Sequence, residues 1–248
     1  ARDFRSSSER HGGGFQCLFR IRAHITRQHN EMKEYRQLKF QPPPGATEIL
    51  LVRHGESRAA TLDNPFPLID GHGDPGLHPN GRAQAIQVGH RLKHHPISAV
   101  YVSNLRRTSE TAAPLCEHLN MTPIVDPDLR EVFLGEWEGG VMRIKAHEND
   151  PLFQRVIAEQ RWDVIPGAES NAELDVRLTR SLERITARHP DELVVAVVHG
   201  GVIGCILAYA TGARPFAFNG ANNGSISHIV MVEDHIVVRG FNDSSHMT

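Results

Sequence analysis

Two short apolar runs, Ile49-Leu50-Leu51-Val52 and Leu193 to Val198, each hand over to a histidine followed by glycine. The first ends in Arg53-His54-Gly55 and the second in His199-Gly200-Gly201. A continuous apolar run of this length reads as a strand buried on both faces, which is what a parallel sheet covered by helices requires. The segments between the two runs fit that demand. Asn80 is placed to cap a helix running to about His94, with Ala83, Ile86, Val88 and Leu92 as its apolar stripe. Ala99 to Val102 is a second strand ending at Ser103-Asn104, and Arg106 to Leu119 a second helix.

Pro123 to Val125 is a short third strand, Asp126 to Gly140 is loop-rich, and residues 141 to 161 read as short helices. Ser170 to Arg188 is a long amphipathic helix carrying Leu174, Val176, Leu178, Leu182 and Ile185, and Val202 to Ala210 an apolar one. Ile226 to Val232 and Ile236 to Val238, with Asp234-His235 between them, close the chain as a hairpin. Strands alternating with helices predict an α/β fold, a three-layer α/β/α sandwich with a mainly parallel sheet. The 248 residues suffice for one large domain of this kind.

Residues 1 to 46 break this pattern: a Ser/Arg/His/Gly-rich start, scattered basic residues and Pro42 to Pro44 show no sustained period. They are expected to form a disordered or non-native extension dispensable for activity, with Met32 as the natural start, an arginine-rich transit peptide being the alternative. The catalytic domain is then 47–248. No apolar run approaches the roughly 20 residues of a membrane span, and 27 Lys plus Arg against 29 Asp plus Glu give no charge signal for nucleic acid or an anionic membrane. Cys17, Cys116 and Cys205 are odd in number and in no CxxC pattern, so the expected compartment is reducing, that is, cytoplasmic.

In open parallel sheets the active site lies beyond the C-terminal strand ends. Here those ends carry Arg53-His54-Gly55-Glu56-Ser57, Ser103-Asn104-Leu105-Arg106 and His199-Gly200-Gly201. Gly200 and Gly201 open a helix whose free N–H groups suit an anion, and Arg53 and Arg106 add two permanently charged forks matched to phosphate oxygens. Two histidines with two arginines describe a phosphoryl pocket. Ser57 either caps a turn or turns its hydroxyl to the phosphate, and Gly200 and Ser57 are taken as substrate-binding positions. Arg106 and Arg107 are adjacent, and one of them is a solvated helix residue. The His72-Gly73-Asp74 stretch lacks an HxHxDH spacing, so no metal is expected there.

Leu51-Val52-Arg53-His54-Gly55-Glu56-Ser57, Ser103-Asn104-Leu105-Arg106-Arg107-Thr108-Ser109-Glu110-Thr111-Ala112, Leu129-Arg130-Glu131 with Gly135-Glu136-Trp137-Glu138-Gly139, and Val198-His199-Gly200-Gly201 together resemble the histidine phosphatase superfamily, the phosphoglycerate mutase-like enzymes. The resemblance covers roughly residues 48 to 245, with the four blocks in family order. It implies that His54 is the nucleophile that becomes phosphohistidine. It further implies that Arg53, Arg106 and His199 bind the phosphoryl group, that Glu131 donates and accepts the proton, and that no cofactor or metal is needed. Motif position favours Arg106 over Arg107. Glu136 and Glu138 compete with Glu131 as the acid.

Arg58-Ala59-Ala60-Thr61 occupies the stretch where the family often has asparagine, with Asn64 only later. Cofactor-dependent mutases of the family carry a long insertion after the acid, whereas here a short stretch separates Glu131 from Gly167-Ala168-Glu169-Ser170. Residues 140 to 165 are therefore read as a short lid fixing substrate choice, with Arg143, Lys145, Arg155 and Arg161 as its cations. Three functions stay open: a phosphomonoesterase acting on a small phosphorylated metabolite, a phosphoglycerate mutase, and a non-catalytic binding protein on the same fold. The expected partner is a phosphorylated small molecule, with room for a homodimer and no nucleic acid or membrane.

Overall fold

The computed structural model describes residues 34–247. Residues 34–40 are exposed and carry no helix or strand, and the folded body begins at Gln41. The expectation of an extension over 1 to 46 lies outside the described residues as far as 33. Its far end is corrected. The Gly45 amide donates to Asp191 Oδ1 at 2.6 Å, the Asp191 amide donates to the Ala46 carbonyl at 2.8 Å, and Ala46 is buried.

In chain order the elements are β1 (Thr47–Arg53), β2 (Leu68–Ile69), β3 (His72–Gly73), α1 (Pro79–Leu92), β4 (Ile97–Val102), α2 (Arg106–Leu119), β5 (Ile124–Val125), α3 (Val141–His147), α4 (Pro151–Glu159), α5 (Asn171–Arg188), β6 (Leu193–Val198), α6 (Gly200–Thr211), β7 (Ile226–Val232) and β8 (His235–Asp243). One six-stranded sheet has the order β5-β4-β6-β1-β7-β8, in which β5, β4, β6 and β1 run parallel, β7 pairs antiparallel with β1, and β8 pairs antiparallel with β7.

Alternation along the strands makes the layers. Ile49, Leu51, Tyr101, Val194, Ala196 and Val198 pack with Leu178 and Leu182 of α5 and with Ile203 and Leu207 of α6. Leu50, Val52, Val100, Val102, Val195 and Val197 point the other way, into Val88 and Leu92 of α1 and Leu115 of α2. The sheet is thus apolar on both faces and lies between two helical layers, the three-layer sandwich expected from the runs. Among the described residues no helix is long and apolar enough to cross a membrane.

Several local expectations shift. The N-cap of α1 is His78, whose Nδ1 accepts from the Asn80 amide at 3.3 Å with Pro79 in the first turn, because the helix starts one residue before Asn80. Its buried face is Gly81, Ala85, Val88, Gly89 and Leu92, leaving Ile86 exposed. Gly81 is required by a close approach: a Cβ there would overlap the Glu56 carbonyl, which accepts from the His78 amide at 2.9 Å. The loop leaving β1 is therefore pressed onto the first turn of α1. In α5, Ser170 and Glu173 form a capping box, and Val176 is exposed while Leu174, Leu178, Leu182 and Ile185 form the seam. The closing hairpin turns at Glu233-Asp234, with Glu233 at φ +54°, so His235 belongs to β8. The segment from 57 to 78 holds the small β2–β3 hairpin, and 127–129 and 135–140 form 3-10 turns.

Candidate active site

The parallel register of β1 on β6 sets Val52 against Val197 and Arg53 against Val198. The next residues are His54 and His199, and the bond from the His54 amide to the Val198 carbonyl (3.0 Å) carries the pairing one step further. Their rings meet edge to face with centroids 5.1 Å apart, both buried. On the other side of β6, Ser103 at the end of β4 places its Oγ 2.9 Å from His199 Nε2.

His54 Nδ1 lies 2.7 Å from the Gly55 carbonyl, which can only accept, so that nitrogen carries the proton and Nε2 keeps its lone pair. Arg107 Nε donates to that lone pair at 3.2 Å, and Arg107 Nη1 donates to the Gly73 carbonyl of β3 at 2.9 Å. Burial first, and then the charges of Arg107 and Arg53, hold His54 well below the ordinary imidazole range. His199 is pushed down in the same way by burial, Arg107 and His54. Both rings are therefore neutral at pH 7. Burial pulls Arg107 down to about 10, which leaves it charged.

The expected phosphate ligands divide. Arg53 fits the site: its Nη1 donates to the Ala221 carbonyl, and its Nε is buried without a protein partner beside Gly200. His199 Nδ1 is likewise buried and unpartnered. Arg106 is a correction. Its side chain is 61% exposed, with Nε 2.5 Å from Glu110 Oε1 one helical turn on, and α2 turns its other face inward. Arg107 occupies the place expected for it, packed with Thr108, Thr111, Ala112 and Leu115 on the buried face of α2. The sequence carried a signal for this. Arg106 has an acid at i+4, the mark of a solvated row, whereas Arg107 has Thr111, whose Oγ1 accepts from the Gly55 amide at 3.0 Å.

Of the three candidate carboxylates, Glu131 reaches the pocket. Its Oε1 accepts from the Val132 amide at 3.0 Å and its Oε2 from the Gly201 amide at 3.4 Å. A Cβ on Gly201 would stand 2.7 Å from Glu131 Oε1, so the glycine leaves the space the acid fills. Glu138 also lines the pocket, but its carboxylate is committed to the Gly73 and Leu134 amides at 2.6 and 2.9 Å. Glu136 is exposed.

Arg53, His54, Arg107, Glu131 and Glu138 line one end of a cavity of about 430 Å³, whose other walls include Phe66, Leu134, Trp137, Met142 and Trp162, while His199 is fully buried behind His54. Ser57 is buried in its wall and its Oγ accepts from Arg143 Nη2 at 2.7 Å. Arg143, from α3, also donates to the Arg58 carbonyl at 2.8 Å and stands over the Phe66 ring. Lys145, Arg155 and Arg161, expected to serve the pocket beside it, pair locally with Asp150, Glu159 and Asp163. Asn223, which sequence reasoning missed, donates from Nδ2 to the His54 carbonyl at 2.8 Å. His72 is buried, with Nδ1 3.2 Å from the Asp70 carbonyl and its ring against Phe133. Among the described residues no cluster of three or more His, Cys, Asp or Glu is arranged to hold a metal ion.

Neutral histidines, buried guanidiniums and a nearby carboxylate at the ends of parallel strands define an α/β enzyme of phosphoryl chemistry. Comparison with known proteins gives the family. The model of the histidine phosphatase superfamily, branch 1, matches residues 49–244, and the chain belongs to that superfamily. It is a histidine phosphatase, of the phosphoric monoester hydrolase class. A metal-independent phosphoserine phosphatase of Arabidopsis thaliana is 30% identical over 206 residues, 82% of this chain and 84% of that protein. Phosphoglycerate mutase-like protein 4 of the same plant is 43% identical over 162 residues, 63% of this chain and 67% of the relative. The solved structure of a mycobacterial glucosyl-3-phosphoglycerate phosphatase is 26% identical with a TM-score of 0.67, spanning 80% of this chain and 100% of that one.

Two predictions follow from the geometry. Arg107→Ala should lower kcat/KM by about 10²- to 10³-fold, as loss of one buried donor to a developing phosphoryl charge does, whereas Arg106→Ala should stay within about threefold. Steady-state kinetics of the two variants side by side checks this; the reverse order would return Arg106 to the site.

The second concerns pH. Both histidines have folded pKa values below the ordinary 6.5, so the unfolded chain takes up protons that the native one refuses. The stability they contribute is complete above about pH 6.5 and is lost as pH falls, by up to about 1.4 kcal/mol per pH unit for each ring. Urea unfolding of the native chain between about pH 6.5 and 5, above the usual carboxylate range, should therefore lose stability more steeply than that of His54→Asn/His199→Asn. Parallel curves would show that the rings are not held neutral.

Proposed function

We propose that this histidine phosphatase hydrolyses a small phosphorylated metabolite in two displacements through a phosphohistidine on His54. The observation that carries the reading is the state of His54: neutral, its tautomer set by the Gly55 carbonyl, and flanked by Arg53 Nε and His199 Nδ1, two buried polar atoms without protein partners. Ser103 Oγ lies 2.9 Å from His199 Nε2, and the mechanism uses the tautomer in which the hydroxyl donates there and the His199 proton sits on Nδ1, where a phosphoryl oxygen can accept it.

In the first step His54 Nε2 attacks phosphorus and the ester P–O bond breaks. Arg107 releases Nε2 and transfers its donors to the phosphoryl oxygens, Arg53 and His199 Nδ1 take up the remaining charge, and Glu131 protonates the leaving alkoxide. In the second step water attacks phosphorus, gives its proton to Glu131, and the P–N bond breaks to restore His54. Ser57 stands at the pocket with its O–H free to donate while it accepts from Arg143. The Gly200 backbone lies against Arg53, at the helix N-terminus that faces the anion.

The segment 140–165 acts as the lid and supplies Met142, Arg143 and Trp162 to the substrate side. Its shortness favours hydrolysis over mutase transfer, since a mutase must keep the phosphorylated intermediate from water while substrate turns around. Relatives named as phosphatases for phosphoserine and glucosyl-3-phosphoglycerate support a small phosphorylated metabolite as substrate. The unpaired thiols Cys116 and Cys205 support a reducing, cytoplasmic setting.

Brief reaction with labelled phosphate ester followed by peptide mapping is expected to place an acid-labile label on His54, with phosphate release at least about tenfold faster than any interconversion of phosphoglycerates. Label on Ser57, or faster interconversion, would overturn the reading. Glu131→Gln should slow alkyl phosphates by about 10²-fold or more but p-nitrophenyl phosphate by less than about tenfold, because that leaving group hardly needs a proton. Equal losses would move the acid role to another carboxylate.

A further inference from the structure

Glu131 sits on a stretch that belongs to no helix or strand, residues 130–134, so its buried backbone groups need partners from elsewhere. Those partners come from α5. Arg177 is buried, and its five N–H donors are all used. Nε and Nη2 bond Glu169 Oε2 and Oε1 at 3.0 and 2.5 Å, Nη1 donates to the Asp128 and Arg130 carbonyls at 2.7 and 2.8 Å, and Nη2 also donates to the Glu131 carbonyl at 3.0 Å.

Glu169 closes the other side. Its Oε1 accepts from the Phe133 amide at 2.8 Å, and its own amide donates to the Phe133 carbonyl at 3.0 Å. The acid is therefore bracketed, its own carbonyl and those of Arg130 and Asp128 held by Arg177, the residue two downstream held by Glu169. Further along the same helix face, at i+3, i+4 and i+7 from Arg177, Arg180 and Arg184 bind Asp128 and Ser181 binds Asp126. A buried ion pair is a poor source of net stability, since desolvation consumes most of its attraction, so an arrangement that spends every donor on one irregular segment is better explained by what that segment must hold.

We propose that Arg177, locked by Glu169, is the positioning residue for Glu131, fixing its carboxylate where the leaving group departs. The proposal rests on the reading of Glu131 as the proton donor. A guanidinium that only stabilised the fold would, when changed, lower activity on all substrates alike. One that places the acid affects only those that need the proton.

The test compares Arg177→Lys, Glu169→Gln and Glu131→Gln on an alkyl phosphate and on p-nitrophenyl phosphate, with circular dichroism and inorganic phosphate binding as controls of fold and pocket. Lysine keeps the charge but cannot serve five directions, and Glu169→Gln keeps an acceptor for the Phe133 amide while losing the ion pair. Each is expected to lower kcat on the alkyl phosphate at least about tenfold, with KM and p-nitrophenyl phosphate turnover changed less than about threefold. Adding Glu131→Gln should cost nothing further on the alkyl phosphate. If Glu131→Gln itself fails to discriminate between the substrates, the acid assignment falls and this proposal with it. If Glu131→Gln discriminates and a folded Arg177→Lys or Glu169→Gln loses both activities equally, or neither, the positioning role alone is overturned. Should Arg177→Lys not fold, the outcome for Glu169→Gln decides.

Discussion

Parallel pairing that sets Arg53 opposite Val198 delivers His54 and His199 side by side off the end of the sheet, between two helical layers that exclude water. A slip of one residue would turn the alternating side chains of β1 to the wrong layers, so the two apolar cores that fix the register also fix the imidazole pair. Low dielectric does the rest. Neither ring can afford a charge so close to Arg53 and Arg107, and the bond to the Gly55 carbonyl decides which nitrogen of His54 keeps its lone pair.

Burying guanidiniums beside neutral rings is costly unless each donor is satisfied, and the satisfied donors show what the fold itself needs. Arg107 is anchored on the Gly73 carbonyl and on His54, and Arg53 on the Ala221 carbonyl. Arg53 Nε and His199 Nδ1 have no such partner. On the proposed mechanism these are the positions where a phosphoryl group restores balance, and the Arg107–His54 bond is the contact it displaces. The pocket is then most complete electrostatically with an anion in it, which favours the charge-rich transition state over any neutral occupant.

What was legible in the sequence follows from the same division. The buried strands announce themselves as apolar runs, and a histidine after each run is an anomaly that survives translation into structure. Arg106 against Arg107 was harder, because adjacent residues on a helix differ by 100° and only the partners at i+4 separate a solvated row from a buried one. Arg177 was invisible in another way. On an amphipathic helix read for its apolar seam, an arginine counts as surface, and nothing local says that the segment it serves, some 46 residues earlier, has no ladder of its own. Asn223 likewise reaches His54 across 169 positions. Periodicity reports on faces; it does not report on which distant backbone needs a donor.

That blindness coincides with a difference in construction between the two halves of the pocket. On the proposed mechanism the phosphoryl end is made from strand ends and the first turns of α2 and α6, elements whose geometry the hydrogen-bond ladders dictate. The leaving-group end is made from irregular backbone at 130–134 and from the short helices after it, held by side chains: Arg177 and Glu169 beneath Glu131, Glu138 on the Gly73 and Leu134 amides, Arg143 on Ser57. Irregular segments tolerate exchange of side chains that a sheet does not. If Glu131 is the acid and Arg177 its clamp, as proposed, a fold arranged this way can keep one way of breaking a phosphate ester while Phe66, Met142 and Trp162 are varied to suit the group that leaves.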